Sequence, residues 1–144
     1  MMTDRIIIGS DHAGFALKEA LKPVLEGSGI SVTDVGTDSE AAVDYPDFGK
    51  KVAAAVSTGR FPRGIMICGS GIGMSIVANR FPNVRGALCL DPETARLSRL
   101  HNDSNILVLA GRKTDPETAA TILQAWLETP FEGGRHKRRI DKIN

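Results

Sequence analysis

The residues best suited to chemistry stand in a glycine-rich segment, Cys68-Gly69-Ser70-Gly71-Ile72-Gly73, which follows an apolar run at 65–68. Three glycines in five positions allow backbone N–H groups to converge on an anion at the start of a helix. The segment is not a Walker A loop, because no Lys-Ser or Lys-Thr follows it, and Met74 stands where a dinucleotide fingerprint needs its third glycine. A tight turn between strand and helix is the alternative interpretation.

Two cysteines, Cys68 and Cys89, provide neither a disulfide framework nor zinc-ligand spacing. Cys68 stands where a strand gives way to a helix N-terminus, an environment in which thiols are often reactive. The alternative for Cys68 is a small buried hydrophobic residue, which is the commoner role of a free cysteine. Cys89 lies inside an apolar run and fits that alternative well.

A second glycine-bounded turn, Gly9-Ser10-Asp11-His12-Ala13-Gly14, follows the apolar run at 6–8. Parallel sheets bind ligands beyond the carboxyl ends of their strands, so we expect Asp11 and His12 to share an edge with Cys68. Alternatively, Asp11 only caps the first helix and His12 is solvated.

The remaining candidates lie in the second half of the chain. His101 closes a predicted helix, where an imidazole is often only a partner of the helix dipole. Arg135 and Arg139 stand one helical turn apart and could hold a phosphate, or they form a solvated basic helix end. The three histidines, which include His12 and His136, have no metal-ligand spacing, so no metal site is predicted.

Short apolar runs without polar alternation predict strands that are covered on both faces of a parallel sheet. They lie at 6–8, 65–68, 87–90 and 106–110, with a weaker candidate at 31–35. Helical periodicity predicts helices over about 14–27, 46–57, 73–80, 92–101, 116–128 and 135–143. This alternation predicts an α/β fold: a Rossmann-like, doubly wound, parallel five-stranded sheet flanked by helices, with a C-terminal helix.

The predicted helices that begin at 92 and 116 have the same N-terminal sequence motif. Asp91-Pro92-Glu93-Thr94-Ala95 recurs as Asp115-Pro116-Glu117-Thr118-Ala119, with Asp as the N-cap and Pro at the first helical position. Asp91 also stands where the ribose-binding acid of a dinucleotide site would be expected. The repeated cap motif gives Asp91 the simpler role.

Composition limits the class of protein. The 144 residues have a formal net charge of +1, with 42% hydrophobic and 24% charged residues, as in an ordinary globular protein. We expect residues 1–144 to form a single domain. Seven aromatic residues and a small basic tail argue against a nucleic-acid partner, and the absence of a long apolar run argues against a membrane segment. The expected compartment is the cytoplasm.

Five separated motifs follow one another along the chain. They are Gly9-Ser10-Asp11-His12-Ala13-Gly14, Asp44-Tyr45-Pro46, Ile67-Cys68-Gly69-Ser70-Gly71-Ile72-Gly73, Ser98-Arg99-Leu100-His101-Asn102-Asp103 and Glu132-Gly133-Gly134-Arg135-His136. Together they resemble the ribose-5-phosphate isomerase type B family, which includes galactose-6-phosphate isomerase subunits. The resemblance implies interconversion of ribose 5-phosphate and ribulose 5-phosphate, a reaction of the pentose phosphate pathway, without a metal or other cofactor.

The resemblance also implies roles by position. Cys68 is the base that moves a proton between C1 and C2, and His101 is the acid/base that opens the sugar ring. The anion hole for the enediolate is implied at Gly69, Ser70, Gly71, Ile72 and Gly73. The implied sugar ligands are Asp11, His12 and Asn102, and the implied phosphate ligands are Arg112, Arg135 and Arg139.

Two details bear on these roles. Many family members have Thr at the position of Ser70, so the hydroxyl group is kept here. Some relatives use a glutamate in the following helix as the base, whereas Ser75 and its neighbours carry no carboxylate. This difference favours the thiol.

Strand order along the chain predicts that two subunits share the site. Cys68, Asp11 and His12 all follow strands, so they belong to the carboxyl edge of the sheet. His101 and Asn102 precede the last strand, so they belong to the opposite edge. If both groups act on one sugar, His101 must come from a partner subunit, most simply across a two-fold axis. The expected assembly is a homodimer, with a tetramer also compatible.

Two alternatives remain open at this point. The first is an isomerase of a related phosphosugar, such as allose 6-phosphate, galactose 6-phosphate or a four-carbon phosphate. The second belongs to another class of protein, a flavodoxin-like module that binds a nucleotide at the glycine turn. Protection against unfolding by ADP or NAD, but not by ribose 5-phosphate, would indicate the second.

Overall fold

The computed structural model describes residues 4–143, which contain a sheet of five strands. The strands are β1 (Arg5–Ser10), β2 (Ser31–Asp34), β3 (Arg63–Cys68), β4 (Gly86–Leu88) and β5 (Ile106–Ala110). They lie in the order β2-β1-β3-β5-β4, and each neighbouring pair is parallel. The doubly wound parallel sheet predicted from the sequence is confirmed.

The described residues contain six helices, of which five flank the sheet and α6 packs against α4. They are α1 (Phe15–Gly27), α2 (Tyr45–Ser57), α3 (Ile72–Ala78), α4 (Pro92–Asn102), α5 (Pro116–Glu128) and α6 (Arg135–Ile140). One face of the sheet packs against α1, α4 and α5, and the other against α2 and α3. No helix between residues 4 and 143 is long and apolar enough to cross a membrane.

The two covered faces explain why the strands are apolar throughout. In β1, Ile6 and Ile8 pack into the core beneath α1 and α5, whereas Ile7 packs into the core beneath α2. All three side chains are at most 3% exposed. Successive strand residues point to opposite faces, so a strand buried on both sides has no polar alternation.

Some element ends differ from the prediction. Strand β4 has three residues and ends at Leu88 rather than at 90, because it is an edge strand that pairs only with β5. Helix α3 ends at Ala78 rather than at 80. The next residue, Asn79, binds both backbone groups of Gly86 with its side-chain amide, which fixes the end of α3 to the start of β4. Helix α6 ends at Ile140 rather than at 143.

Both predicted aspartate caps are present. Asp91 Oδ1 accepts a hydrogen bond from the Thr94 N–H at 2.8 Å, and Asp115 accepts the equivalent bond from Thr118 at 2.8 Å. Asp91 Oδ2 also accepts from the Thr94 hydroxyl at 3.1 Å. Both carboxylate oxygens of Asp91 therefore serve the start of α4, which argues against the ribose-binding role considered above.

The chain adds strands on opposite sides of the pair β1 and β3, although all strands run parallel. The chain leaves β1 toward β2 on one side and leaves β3 toward β4 and β5 on the other. In open parallel sheets, ligands bind in the crevice beyond the carboxyl ends of the strands at such a point. The ends of β1 and β3 carry Ser10 and Cys68.

Candidate active site

A cavity of about 420 Å³ lies beyond the carboxyl ends of the central strands. Its lining residues are Asp11, Tyr45, Cys68, Gly69, Ser70, Gly73, Arg112 and Lys113. Six of these eight were candidates from the sequence. The residues that follow β1, β3 and β5 thus meet around one space, as the strand order requires.

Cys68 is the last residue of β3 and lines this cavity, with 5% of its surface exposed. Its carbonyl accepts a hydrogen bond from the Gly111 N–H at 2.8 Å, which fixes the backbone beneath the thiol. Cys89 is fully buried in the core on the other face of the sheet. Burial raises the pKa of the Cys89 thiol to about 11, so that group stays protonated at neutral pH.

The glycine loop after Cys68 is shaped by close approaches. Gly71 has φ +78°, a conformation that favours glycine, and a Cβ there would collide with Leu88. At Gly73 a Cβ would lie 2.6 Å from Tyr45 Cε1, so the tyrosine ring packs directly over that glycine. The loop must therefore keep glycine at both positions to remain in this shape.

One backbone N–H group of the glycine loop forms a hydrogen bond within the loop. The Ile72 N–H donates to Ser70 Oγ at 3.1 Å. Ser70 lines the cavity, whereas the Ile72 side chain is 57% exposed. The Ser70 hydroxyl keeps its own proton, so it can donate to an oxyanion while it accepts from Ile72.

Asp11 combines the two interpretations offered by the sequence. Its Oδ1 accepts hydrogen bonds from the N–H groups of Ala13 at 3.0 Å and Gly14 at 3.1 Å. These bonds order the turn before α1, and the same carboxylate lines the cavity. The next residue, His12, accepts a hydrogen bond from the Val43 N–H at Nδ1 at 3.1 Å. In a neutral imidazole this bond places the proton on Nε2, which is then a donor.

Arg112 and Lys113 supply the positive charge of the cavity. The Arg112 N–H donates to the Gly69 carbonyl at 3.0 Å, and a Cβ at Gly69 would lie 3.3 Å from Arg112 Cδ. The arginine therefore packs against the glycine loop. Between residues 4 and 143, neither cation forms an ion pair with a carboxylate. Both charges are available to an anionic ligand.

The other predicted residues lie at the opposite edge of the sheet. His101 and Asn102 end α4, shortly before the first residue of β5, and Asn102 lines a groove with Gly86 at the start of β4. Helix α6, which carries Arg135 and Arg139, packs against α4 at the same edge. None of these four residues lines the cavity around Cys68.

Two histidines that are distant from each other in the sequence are in contact. The rings of His101 and His136 are stacked, with centroids 4.4 Å apart and an interplanar angle of 19°. Glu132 completes a group whose potential ligand atoms all lie within 4.8 Å of one another. The spacing of the histidines along the chain therefore did not predict that this pair would meet. Burial, with help from the neighbouring Arg135, lowers the pKa of His136 below its usual value.

The chain matches the model of a family described as ribose/galactose isomerase over residues 6–143. The chain belongs to this family. It is 44% identical to ribose-5-phosphate isomerase B of Escherichia coli K12 over 139 residues, which cover 96% of this chain and 93% of that protein. The family predicted from the five motifs is confirmed.

Solved structures of ribose-5-phosphate isomerases have the same fold as this family member. The enzyme from Thermotoga maritima is 54% identical, with a TM-score of 0.95 over 99% of this chain and 98% of that one. Isomerase B from Mycoplasma genitalium, solved with bound ribulose-5-phosphate, is 39% identical, with a TM-score of 0.94 over 99% of this chain and 95% of that one. The match extends over essentially the whole isomerase fold.

Two lining residues of this ribose/galactose isomerase were not candidates from the sequence. Tyr45 was part of a quoted motif without a role, and it reaches the cavity because α2 begins beside the glycine loop. Lys113 directly follows a predicted phosphate ligand, and its position after β5 was the available signal. A tyrosine hydroxyl and an ammonium group add one neutral and one charged donor to the cavity.

Proposed function

We propose that this chain is a ribose-5-phosphate isomerase that interconverts ribose 5-phosphate and ribulose 5-phosphate without a metal or other cofactor. The observation that carries the proposal is the thiol of Cys68 at the end of β3, beside the glycine loop and Arg112 in one cavity. The named activity of the Escherichia coli relative and the ligand of the Mycoplasma genitalium structure support the choice of substrate. We assign the reaction to a single domain that spans residues 1–144.

Isomerisation needs a base and a stabilised oxyanion at the same carbon atoms. We assign the base to the Cys68 thiolate, which takes the proton from C2 of the open-chain aldose and forms an enediolate. The resulting thiol returns a proton to C1, while a proton moves from the C2 oxygen to the C1 oxygen. No electrons leave the substrate, so the step needs no external oxidant or reductant.

The glycine loop is suited to the charge that develops in this step. A proton next to a carbonyl is only weakly acidic, so removing it is slow unless donors stabilise the oxygen that becomes negative. We assign this role to the N–H groups of Gly69, Gly71 and Gly73 and to the hydroxyl of Ser70. The Ile72 N–H acts through that hydroxyl, because it donates to Ser70 Oγ. Loss of one such donor typically costs about 10²–10³ in rate.

The remaining roles follow the chemistry of each side chain. We assign ring opening to His101, because an imidazole can both give and accept a proton near neutral pH. We assign the binding of the sugar hydroxyls to the carboxylate of Asp11, the imidazole of His12 and the amide of Asn102. Guanidinium groups hold the phosphate at Arg112, Arg135 and Arg139, and this distant binding energy positions the reacting carbons.

These assignments require a second copy of the chain. Cys68 and Arg112 belong to the carboxyl edge of the sheet, whereas His101 and Arg139 belong to the amino edge. The two edges are separated by the length of the strands, so we expect one sugar phosphate to contact only one edge of a given sheet. We therefore propose a homodimer in which each site combines the carboxyl edge of one subunit with the amino edge of its partner.

The test of the thiol compares the two cysteines. Cys68→Ala should abolish turnover of ribose 5-phosphate while circular dichroism and the unfolding midpoint stay near those of the wild type. Cys89→Ala is the matched control, because it removes the same atoms from a buried position on the other face of the sheet. It should keep turnover and lose only stability. A Cys68→Ala enzyme with near-normal kcat would refute the thiol base.

A related phosphosugar is the second candidate substrate, because the family description includes galactose as well as ribose. A panel of four-, five- and six-carbon aldose phosphates, compared by kcat/KM, distinguishes the candidates. We expect ribose 5-phosphate to have the highest kcat/KM, and a higher value for allose 6-phosphate, galactose 6-phosphate or a four-carbon phosphate would reassign the substrate. Membership of an isomerase family argues against the nucleotide-binding module.

A further inference from the structure

A cluster of three potential metal ligands lies at the amino edge of the sheet, away from the cavity around Cys68. We call His101, Glu132 and His136 the histidine cluster. Their potential ligand atoms lie within 4.8 Å of one another. His101 comes from the end of α4, Glu132 precedes α6, and His136 lies within α6. The cluster therefore joins two elements that are separated in the sequence.

His136 supplies a second, independent observation. Its side chain is more than nine-tenths buried, yet Nε2 has no hydrogen-bond partner among residues 4–143. Glu132 Oε1 lies 3.7 Å from Nε2, which is too far for a hydrogen bond. A buried polar atom without a partner is costly, so a ligand that satisfies Nε2 would be stabilised there.

The donor set matches that of open zinc sites. Two imidazoles and one carboxylate form a ligand set of catalytic zinc proteins, which leaves the fourth position to water or substrate. Ligand atoms in such a site lie about 2.0–2.2 Å from the metal and hence roughly 3.3 Å from one another. The cluster must contract by up to about 1.5 Å, and the half-exposed Glu132 side chain is free to move that far. Because the rings of His101 and His136 are stacked at an interplanar angle of 19°, His101, which is not fully buried, must also turn before both imidazoles can bind one ion.

The backbone holds the other parts of the cluster in place. The Glu132 N–H donates to the Leu100 carbonyl at 3.1 Å, which fixes the segment before α6 to the end of α4. The His136 N–H donates to the Gly133 carbonyl at 3.1 Å. The nearest competitor for Glu132 is Arg135, at 3.9 Å with both side chains largely exposed. An exposed ion pair of this length contributes little, so a divalent cation would displace it readily.

We propose that the histidine cluster binds one Zn²⁺ per chain and that the bound cation inhibits the enzyme. The binding site does not depend on the proposed function. Its effect on turnover rests on that function, in which His101 transfers protons during ring opening. A lone pair that coordinates a metal cannot accept a proton, so Zn²⁺ and productive substrate binding should exclude each other.

Binding is measured first, by competition of the metal-free protein with a chromophoric Zn²⁺ chelator in the presence of a phosphine reductant. We expect one Zn²⁺ per chain and a Kd that rises at least tenfold in Glu132→Gln. Glu128→Gln is the matched control, since it neutralises an exposed carboxylate at the end of α5 outside the cluster. His136→Gln should weaken binding similarly, and the exposed Glu132 variant keeps the test valid if His136→Gln does not fold.

The thiols are the rival site for a soft cation, so Cys68→Ala is measured in the same assay. Unchanged affinity in Cys68→Ala together with weaker binding in Glu132→Gln supports the proposal. Loss of binding in Cys68→Ala, or full binding in Glu132→Gln, overturns it. Absence of stoichiometric binding to the wild type also overturns it.

Activity is measured second and separates the two proposals. At low substrate, Zn²⁺ at ten times its Kd should reduce wild-type turnover about elevenfold, as mass action requires. Glu132→Gln should retain basal turnover and need at least tenfold more Zn²⁺ for the same inhibition. Stoichiometric binding without inhibition would leave the site intact but refute both the inhibition and the role of His101. Inhibition unchanged in Glu132→Gln would overturn the link between the cluster and turnover.

Discussion

Mixed dimers offer a direct test of the shared site, because the structure limits how far one chain can reach. Cys68 ends β3, and Ile106, which follows His101 by five residues, pairs with Gly64 near the other end of that strand. Four strand residues at about 3.3 Å each separate the two levels by about 13 Å. Proton transfer needs heavy atoms within about 3 Å of the atom that reacts. If both groups act on neighbouring sugar carbons, we therefore expect them to come from different chains.

The perturbation pairs Cys68→Ala with His101→Ala, each of which should be inactive alone. Unfolding, mixing in equal amounts and refolding give random pairing, so about half of the dimers contain one chain of each kind. In such a dimer one site carries both lesions and the other is intact. About a quarter of the wild-type kcat should return, with KM near that of the wild type.

The assay follows ribulose 5-phosphate formation, with wild type taken through the same refolding as the reference. Differently tagged chains and tandem purification isolate the mixed dimers, which should then have about half of the wild-type activity. A site within one chain predicts no recovery, because every chain carries a lesion. Absence of activity in verified mixed dimers would refute the shared site or the catalytic role of His101.

Three further outcomes follow from the assignments. Arg139→Ala should lower kcat/KM for ribose 5-phosphate by an amount that corresponds to about 1.5–3 kcal/mol of lost transition-state stabilisation, as expected for a lost charge-assisted hydrogen bond. The same substitution should hardly change the slow reaction of free ribose. Equal proportional losses for both sugars would place Arg139 away from the phosphate. Dialysis against EDTA should not reduce turnover, whereas a loss that Mn²⁺ restores would indicate a metal-assisted hydride shift. Asp91→Ala should lower the free energy of unfolding in urea by about 1 kcal/mol, because the Thr94 N–H loses its acceptor, whereas Asp91→Asn should lower it less. Equal losses in the two variants would argue against the cap.

The fold was predictable because its strands and helix starts are coded locally. The central strands β1, β3 and β5 are buried on both faces, so each appears in the sequence as an uninterrupted apolar run. The starts of α4 and α5 carry their own aspartate caps. Strand β4 was less predictable, since an edge strand of three residues is held by one neighbour and by the amide of Asn79 rather than by its own pattern.

The site was predictable where topology alone brings residues together. Asp11, Cys68 and Arg112 follow three strands of a parallel sheet, so they share an edge whatever the loops do. Tyr45 is different, because its ring reaches the cavity only by packing over Gly73, where any side chain would collide with it. Hydrophobic periodicity cannot predict such a contact between the starts of two helices.

The histidine cluster was missed for a similar reason. His101 and His136 meet because the segment before α6 folds back onto the end of α4, where Glu132 hydrogen-bonds Leu100. That return depends on the Gly133-Gly134 turn, in which both residues have positive φ. Ligand spacing along the chain cannot reveal a pair formed by tertiary contact.

The three predicted phosphate-binding arginines lie at different edges of the sheet, as the predicted catalytic groups do. Arg112 packs against the glycine loop on the carboxyl edge, whereas α6 carries Arg135 and Arg139 to the amino edge. If all three hold one phosphate, the phosphate must also lie between two subunits. A single two-fold axis would then bring together both the catalytic groups and the arginines.

Substitutions should therefore fall into two complementation groups. Arg112→Ala should recover activity when it is mixed with His101→Ala, because a mixed dimer restores one complete site. It should recover none with Cys68→Ala, since both lesions then lie on the same edge and every site contains one of them. Recovery in the second mixture would contradict the division of the site by sheet edge, whatever the fate of the individual assignments.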